Sequence, residues 1–206
     1  LGIGDPTVLD ALSIARTGNK GLRKELEAAY NKTSDLGYIA EKFYREGEKG
    51  IRAVHLVVGK PVRPALAERM PNAEEAVKRL GDTFFAEPKF DGFRVAIHKN
   101  GDKVEIFSRN LEDMTHSFPD IVEGVLKEVK AKSVIMEGEA IAYNPITREF
   151  LPFQETTKRR RKYKVEETAK ELPLVMFAFD LLYLNGEDIT PKPYTQRRRL
   201  LEKILH

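Results

Sequence analysis

Hydrophobic residues recur at helical spacing through the first part of the chain. After Asp5-Pro6, a pair typical of a helix start, apolar residues lie three or four positions apart over residues 8–15. Two further helices are predicted over residues 20–30 and 35–44, with polar turns between them. The pattern therefore predicts an all-helical segment at the start of the chain.

The pattern changes at residues 54–58, an apolar run with the length of a β-strand. A proline-containing stretch that favours an extended path follows it. We therefore predict a first domain over residues 1–57 and a second over residues 58–206. A short helix is predicted over residues 73–80, and Phe84-Phe85 are predicted to lead a buried strand into the next segment.

The second domain is dominated by strand patterns. Apolar and polar residues alternate over residues 93–106 on both sides of Asn100-Gly101, which predicts a β-hairpin. Residues 118–129 have the apolar face of a helix, whereas residues 133–143 and 174–184 are apolar runs of strand type. The predicted fold class is α+β, an all-helical segment followed by a mixed, mainly antiparallel β domain.

Composition limits the class of protein. The 206 residues contain no cysteine, which excludes disulfides and thiolate metal sites. Neither a membrane-spanning apolar run nor a secretory signal is present, so we predict no membrane partner and a location in the cytoplasm, or in the nucleus of a eukaryote. Because the chain opens on leucine and residues 200–206 form a helix without a stop signal, we predict a fragment of a longer protein.

Positive charge is clustered, although the net charge is only +3. Residues 158–164 carry six positive charges in seven positions, and residues 197–199 are three arginines. Such clusters are either solvated faces of a loop and a helix or contacts to a nucleic-acid backbone. Composition leaves both interpretations open.

A candidate nucleophile lies just before the hairpin. Residues 87–94 read Glu-Pro-Lys-Phe-Asp-Gly-Phe-Arg, which places Lys89 before the Asp91-Gly92 turn and Arg94 after it. A neutral lysine amine can attack the α-phosphate of a nucleotide, and positive charge from Arg94 or a bound metal would favour the neutral form. The alternative is a surface lysine before an ordinary turn, since short motifs recur by chance.

Three further signals follow in order: Arg109, Glu139 and Phe179. Taken singly, each is more often a surface cation, a solvated acid or a core aromatic residue. Together they suit a nucleotide, because arginine binds phosphate oxygens, a carboxylate binds ribose hydroxyls or Mg²⁺, and an aromatic face packs on a purine. The set predicts a nucleotide pocket around Lys89, without the glycine-rich P-loop motif.

This series resembles the nucleotidyltransferase motifs of ATP-dependent DNA ligases, in wording nearest to the archaeal and eukaryotic replicative type. Residues 89–94 resemble motif I, residues 107–115 motif Ia, residues 136–139 motif III and residues 177–186 motif IIIa. Glu137 departs from the family, which more often has aspartate there. The similarity covers nearly the whole chain.

The resemblance implies two ligase domains. Residues 1–57 would be the end of the DNA-binding domain, and residues 58–206 the first part of an adenylation domain that is incomplete at its C-terminus. The second metal-binding glutamate of motif IV, the paired lysines of motif V and an OB-fold domain would follow His206. We therefore expect the 206 residues alone to be inactive.

The resemblance also implies a role for each site residue. Lys89 would be the residue that carries AMP. Glu87 would contact the adenine edge, and Phe179 would stack on the adenine face. Arg94 and Arg109 would hold ribose and phosphate.

The implied cofactors are ATP and Mg²⁺. Glu139 would bind ribose or the metal. Independently of the resemblance, the Asp91-Gly92 turn can place a carboxylate near a metal or a hydroxyl. The implied reaction is lysine adenylation, AMP transfer to a 5′-phosphate and sealing of a DNA nick in replication and repair. The implied partner is nicked double-stranded DNA, with a sliding clamp as a further candidate through other parts of the protein.

Two rival functions stay open on the sequence. RNA ligases and mRNA capping enzymes share the Lys-x-Asp-Gly motif, although the helical leader and the wording of residues 108–115 favour DNA ligase. A non-catalytic module is the second rival, in which the basic clusters hold DNA and the nucleotide pocket is a relic.

Overall fold

The computed structural model describes residues 2–65, 67–160 and 163–205. Three helices come first: α1 (Asp5–Thr17), α2 (Arg23–Tyr30) and α3 (Leu36–Arg52). Their apolar faces pack into one buried cluster that includes Leu26 and Phe43. The Asp35 side chain begins α3 by accepting a hydrogen bond of 2.9 Å from the Tyr38 backbone N–H.

A five-stranded sheet forms the second part, and every strand pairing is antiparallel in the order β2-β1-β3-β4-β5. The strands are β1 (Phe93–Asn100), β2 (Lys103–Ser108), β3 (Ser133–Ala142), β4 (Leu174–Leu184) and β5 (Glu187–Asp188). The helices are α4 (Ala73–Leu80), α5 (Pro119–Glu128), α6 (Phe153–Thr157), α7 (Val165–Glu171) and α8 (Tyr194–Ile204). A second buried apolar cluster lies between the sheet and helices α5 and α8.

The predicted α+β class is confirmed, and so is the hairpin before which Lys89 lies. The turn is displaced by one residue: Asn100 still pairs with Lys103, and the loop is Gly101 and Asp102. Gly101 has φ 59°, which suits the first loop position of a type II′ turn. Helix α3 runs to Arg52, beyond the predicted residues 35–44, with a kink at Gly47.

Two predicted strand segments are wrong. Residues 54–57 are irregular, and Val54 and Leu56 are buried without joining a sheet ladder. Phe84 and Phe85 are 46% and 56% exposed, and residues 83–91, all of them described, belong to no helix or strand. Apolar composition alone cannot separate a strand from an irregular segment whose side chains pack singly.

The boundary between residues 1–57 and 58–206 stays a prediction. The two separate apolar clusters support it, since each half of the chain buries its own side chains. Polar contacts join the halves: the Arg63 N–H donates to Ser34 Oγ at 2.7 Å, and Lys32 forms an ion pair with Asp188 at 3.0 Å.

His98 makes the stability of the fold depend on pH. Its side chain is 1% exposed, and burial lowers its pKa from 6.5 to about 4. Between these values the unfolded chain binds a proton that the folded chain does not, so stability falls as the pH falls from 6.5 to about 4. The free energy of unfolding should fall by about 2–3 kcal/mol over this pH range.

Urea unfolding at pH 7 and pH 4.5 measures this loss. In His98→Gln, whose amide oxygen can still accept the hydrogen bond from the Gly59 N–H, we expect the acid-dependent loss to shrink by most of that amount. His55→Gln is the matched control, since His55 is exposed. An undiminished acid loss in His98→Gln would contradict the assignment.

The basic clusters are largely paired within the chain. Arg159 is 1% exposed and binds both carboxylate oxygens of Asp120, at 2.7 and 2.8 Å. Arg160 pairs with Glu112, and Arg197 binds both oxygens of Asp180. The buried pairs favour a structural role for Arg159 and Arg197 over a nucleic-acid contact, whereas the Arg160 pair is open to solvent. Positions 161 and 162 of the predicted basic run lie outside the described residues.

No helix within the described ranges combines the length and the apolar character needed to cross a membrane.

Candidate active site

The segment that carries Lys89 is held by side chains. Lys89 is exposed, and its Nζ donates to the Phe90 carbonyl at 3.2 Å. The Phe90 ring stacks on Phe177 of β4, with centroids 4.3 Å apart and planes 16° apart. The protein alone therefore does not desolvate the Lys89 amine, whereas it does fix the backbone next to it.

Three side chains of the site lie in one row across the sheet. Arg94 of β1 is directly opposite Glu139 of β3, which is directly opposite Phe177 of β4. Opposite residues in antiparallel strands share a face, so all three face the same side as the nucleophile segment. The register of the sheet thus assembles residues that are far apart in sequence.

Gly92 lets the nucleophile segment approach β3 closely. A Cβ atom at this position would lie 2.5 Å from the Ala140 carbonyl oxygen and 2.7 Å from Ile141 Cγ1. The bare backbone fits there, and its N–H donates to Glu139 Oε1 at 3.2 Å. The Asp-Gly turn therefore connects Lys89 to the row of site residues.

The Glu139 carboxyl is partly desolvated. Burial raises its pKa above the ordinary glutamate value, and the positive charge of Lys89 opposes that rise. Asp91 adds negative charge nearby and raises the pKa of Glu139 further. Glu139 and Asp91 therefore face a common region where a positive charge would stabilise both carboxylates.

Arg94 is held by two neighbours. It forms an ion pair with Glu137, and its guanidinium lies over the Phe179 ring, 5.1 Å from the centroid. Burial raises the pKa of Glu137, and Arg94 opposes the rise. Arg94 Nε is buried and has no hydrogen-bond partner among the residues that the structure describes. Because this Nε is closed off from solvent, a ligand would reach it only if the side chain moved.

A register shift directs Phe179. Glu137 pairs with Asp180 and Gly138 pairs with Ala178, so Phe179 has no opposite residue on β3. Such irregularities reorient side chains, often beside active sites. Because Arg94 covers one face of the ring, a base stacking on Phe179 would use the other face or displace Arg94.

The predicted site residues line two adjoining cavities of about 620 and 730 Å³. These volumes lie within the range of small-molecule sites. Both cavities are lined by Glu87, Lys89, Arg94 and Glu139. Phe179 lines the first cavity, whereas Asp91 and Arg109 line the second. All seven candidate residues are thus brought to one region.

The structure adds residues to the site that the sequence pattern did not indicate. Phe177 and Arg198 line the first cavity, and the Tyr194 hydroxyl contacts the Glu87 carboxylate. Phe177 lies in an apolar run, and Arg198 lies in a charge cluster, so neither residue stands out in the sequence. Tyr194 carries no motif signal, and only the packing of α8 on β4 reveals it.

Within residues 2–65, 67–160 and 163–205, no cluster of three or more acidic or histidine side chains is arranged to hold a metal. Among the carboxylates that line the second cavity, Glu139 and Asp91 lie close enough to interact with each other. Mg²⁺ is commonly bound through one or two carboxylates, with water and substrate phosphate oxygens completing the shell. The pair therefore fits a metal that arrives with a nucleotide.

Comparisons with known proteins show the family of this chain. The family model for the ATP dependent DNA ligase domain matches residues 64–206. A probable DNA ligase of Dictyoglomus turgidum is 57% identical over 205 residues, with 100% of this chain and 35% of that protein covered. DNA ligase 2 of Thermofilum pendens is 50% identical, with 100% and 34% covered.

Among solved structures, the ligase domain of M. tuberculosis LigD is 26% identical, with a TM-score of 0.44 over 57% of this chain and 35% of that one. The chain spans about 35% of the length of the curated relatives it matches. Its second part, from residue 64 onward, is the part that the family model covers. This chain belongs to the ATP-dependent DNA ligase domain family.

Proposed function

We propose that this chain supplies the nucleotide site of an ATP-dependent DNA ligase in which Lys89 carries AMP. The observation that supports it most is the convergence of Lys89, Arg94, Glu139 and Phe179 on one open cavity of nucleotide size. The family membership supports the same function, although the chain spans only about 35% of the length of the curated relatives it matches.

In the first step the neutral Lys89 amine attacks the α-phosphorus of ATP. A P–N bond forms, the P–O bond to pyrophosphate breaks, and the amine proton passes to solvent. In the second step a 5′-phosphate oxygen at the nick attacks the phosphorus of AMP, the P–N bond to Lys89 breaks, and the amine takes up a proton. The 3′-hydroxyl oxygen then attacks the 5′-phosphorus, so that the phosphodiester forms, AMP leaves and the hydroxyl proton passes to solvent. Holding the reacting groups in line and neutralising phosphate charge are the main contributions of a protein to such transfers.

Two arginines suit the phosphate end of the nucleotide. Arg94 lines both cavities, and its guanidinium is held by Glu137 and Phe179. Arg109 lies beyond the hairpin and lines the second cavity together with Lys89. We propose that Arg94 contacts ribose or the α-phosphate and that Arg109 binds phosphate oxygens further along the triphosphate.

The base and sugar fit the first cavity. Glu87 is an acceptor at its rim for the adenine amine, and Phe179 and Phe177 supply aromatic surface. Glu139 lies beside the nucleophile, where it can accept hydrogen bonds from ribose hydroxyls. Mg²⁺, bound by Glu139 and Asp91, would neutralise phosphate charge.

We propose that the DNA partner contacts other surfaces, including the helical part over residues 1–57 as the end of a DNA-binding domain. The ion pairs of Arg159 and Arg197 leave these side chains less available for phosphate. A non-catalytic module that binds DNA through the basic clusters alone is therefore the weaker explanation of the function.

Nick sealing tests the proposed function. The full-length protein that carries this chain should seal a nicked DNA duplex with ATP and Mg²⁺, and EDTA should abolish sealing. The matched substrate is the same nick with an RNA strand, and the readout is the joined strand on a denaturing gel. Sealing confined to RNA would favour an RNA ligase, and no sealing of either nick would contradict the proposal.

A further inference from the structure

Tyr194, the first residue of α8, connects three parts of the site. Its hydroxyl contacts the Glu87 carboxylate and lies 2.9 Å from the Phe179 carbonyl oxygen. Its ring packs edge-on against Phe85, with centroids 5.1 Å apart. Helix α8, strand β4 and the irregular segment that carries Lys89 therefore meet at this one side chain.

Tyr194 is itself anchored from the sheet side. The Arg197 guanidinium lies over its ring, 5.5 Å from the centroid. Arg197 in turn binds both carboxylate oxygens of Asp180 on β4, at 2.8 and 3.0 Å. A ring held on one face by a fixed cation and at its edge by Phe85 has little freedom, so the hydroxyl occupies a defined point.

Glu87 lacks such support from the backbone. It lies in the irregular segment over residues 83–91, and its side chain is exposed. A glutamate in this setting would otherwise sample several rotamers at little cost. The contact with Tyr194 selects one of them.

The hydroxyl acts as the donor in this contact. Burial, followed by the hydrogen bond to Glu87, raises the pKa of Tyr194 to about 12, so the phenol stays protonated near neutral pH. A phenol has one proton, and a charged carboxylate accepts it more strongly than the neutral Phe179 carbonyl. One oxygen of Glu87 is thereby held, and the carboxylate keeps further acceptor positions for a ligand.

An ionised carboxylate only accepts hydrogen bonds, and this property separates the two purines. Adenine carries an amino donor at the position where guanine carries a carbonyl acceptor. A carboxylate held at the rim of the cavity would bind the adenine amino group and repel the guanine carbonyl oxygen. A mobile carboxylate would turn away from guanine and discriminate less.

We propose that Tyr194 is a positioning residue that holds the Glu87 carboxylate against the amino edge of the base and so makes the site selective for adenine. The inference rests on the proposed function, because it needs a nucleotide in this cavity with its base towards Glu87. It extends that function by adding a residue that acts through Glu87.

Base analogues test this role. In the full-length protein we compare initial rates of nucleotidyl-lysine formation with subsaturating ATP and with purine riboside triphosphate, which lacks the amino group. Tyr194→Phe keeps the ring contacts and removes the hydroxyl. We expect the rate with ATP to fall about tenfold, the worth of one hydrogen bond to a charged group. With the analogue the rate should change less than about twofold, since its base cannot use the acceptor.

Two controls separate this role from a general structural one. Tyr44→Phe, at a tyrosine that is 82% exposed, should leave both rates unchanged. In a Glu87→Ala background, Tyr194→Phe should have little further effect, because the residue through which it acts is gone.

Each remaining outcome decides against the inference. Equal losses with both nucleotides would show that the hydroxyl only supports the fold, and unchanged rates would show that it has no role. If the wild-type protein forms an adduct with ATP, and Tyr194→Phe leaves the ratio of the ATP rate to the analogue rate unchanged, only this inference fails. If the wild-type protein forms no adduct with either nucleotide, the proposed function fails with it.

Discussion

Replacing Lys89 with alanine is expected to abolish formation of the AMP adduct on the full-length protein. Without the amine no P–N bond can form, so the rate should fall by at least about 10³-fold, as for other lost nucleophiles. Noncovalent binding of ATP should change only a few-fold, because Arg94, Glu139 and Phe179 still line the cavity. Intact mass after incubation with ATP measures the adduct, and nucleotide titration measures the binding.

Two matched variants show whether the amine or the charge matters. Lys89→Arg keeps the positive charge but cannot supply a neutral amine, so it should be as inactive as Lys89→Ala. Lys103→Ala removes an exposed lysine at the far end of the same hairpin and should leave the adduct unchanged. A persistent adduct in Lys89→Ala would assign AMP to another residue.

Replacing Arg159 with alanine should cost about 3–5 kcal/mol of unfolding free energy, because it leaves a largely buried carboxylate without its partner. Besides Asp120, the guanidinium donates to the Leu172 carbonyl at 2.7 Å and the Ser117 carbonyl at 3.3 Å. One side chain thus joins α5, the segment after α6 and the residue that follows α7. Urea unfolding followed by circular dichroism measures the change.

The neighbouring arginine is the control. Arg160 is about half exposed, and its pair with Glu112 is open to solvent, so Arg160→Ala should cost less than about 1 kcal/mol. Similar losses for both variants would mean that the Arg159 pair contributes no more than a surface contact. The comparison also separates the structural part of the basic run from its solvated part.

The elements with a clear hydrophobic periodicity were predictable from the sequence. Helix α4 and strand β4 have the predicted bounds, and strand β3 ends one residue early. Here alternation or helical spacing reflects which side chains are buried, and burial dominates the folding energy. The same logic placed Lys89 before the hairpin and Arg109 just after it.

Features that depend on contacts between distant segments were not predictable. Phe84 and Phe85 look like a strand in sequence, yet the segment finds its partners through single contacts such as the one between Phe85 and Tyr194. The pairing of Arg94 with Glu137 depends on strand register. Arg159 is buried inside a run that looks solvated because it pairs with Asp120, which lies 39 positions away in the sequence.

The row of Arg94, Glu139 and Phe177 across three strands ties nucleotide binding to the completion of folding. None of these residues can meet the others until β1, β3 and β4 are paired in one register, and a slip by one position would turn a side chain to the opposite face. A partly folded chain that has formed only the local hairpin therefore has no site. A bound nucleotide would stabilise only the fully paired sheet, and by mass action it would draw late intermediates towards the native state.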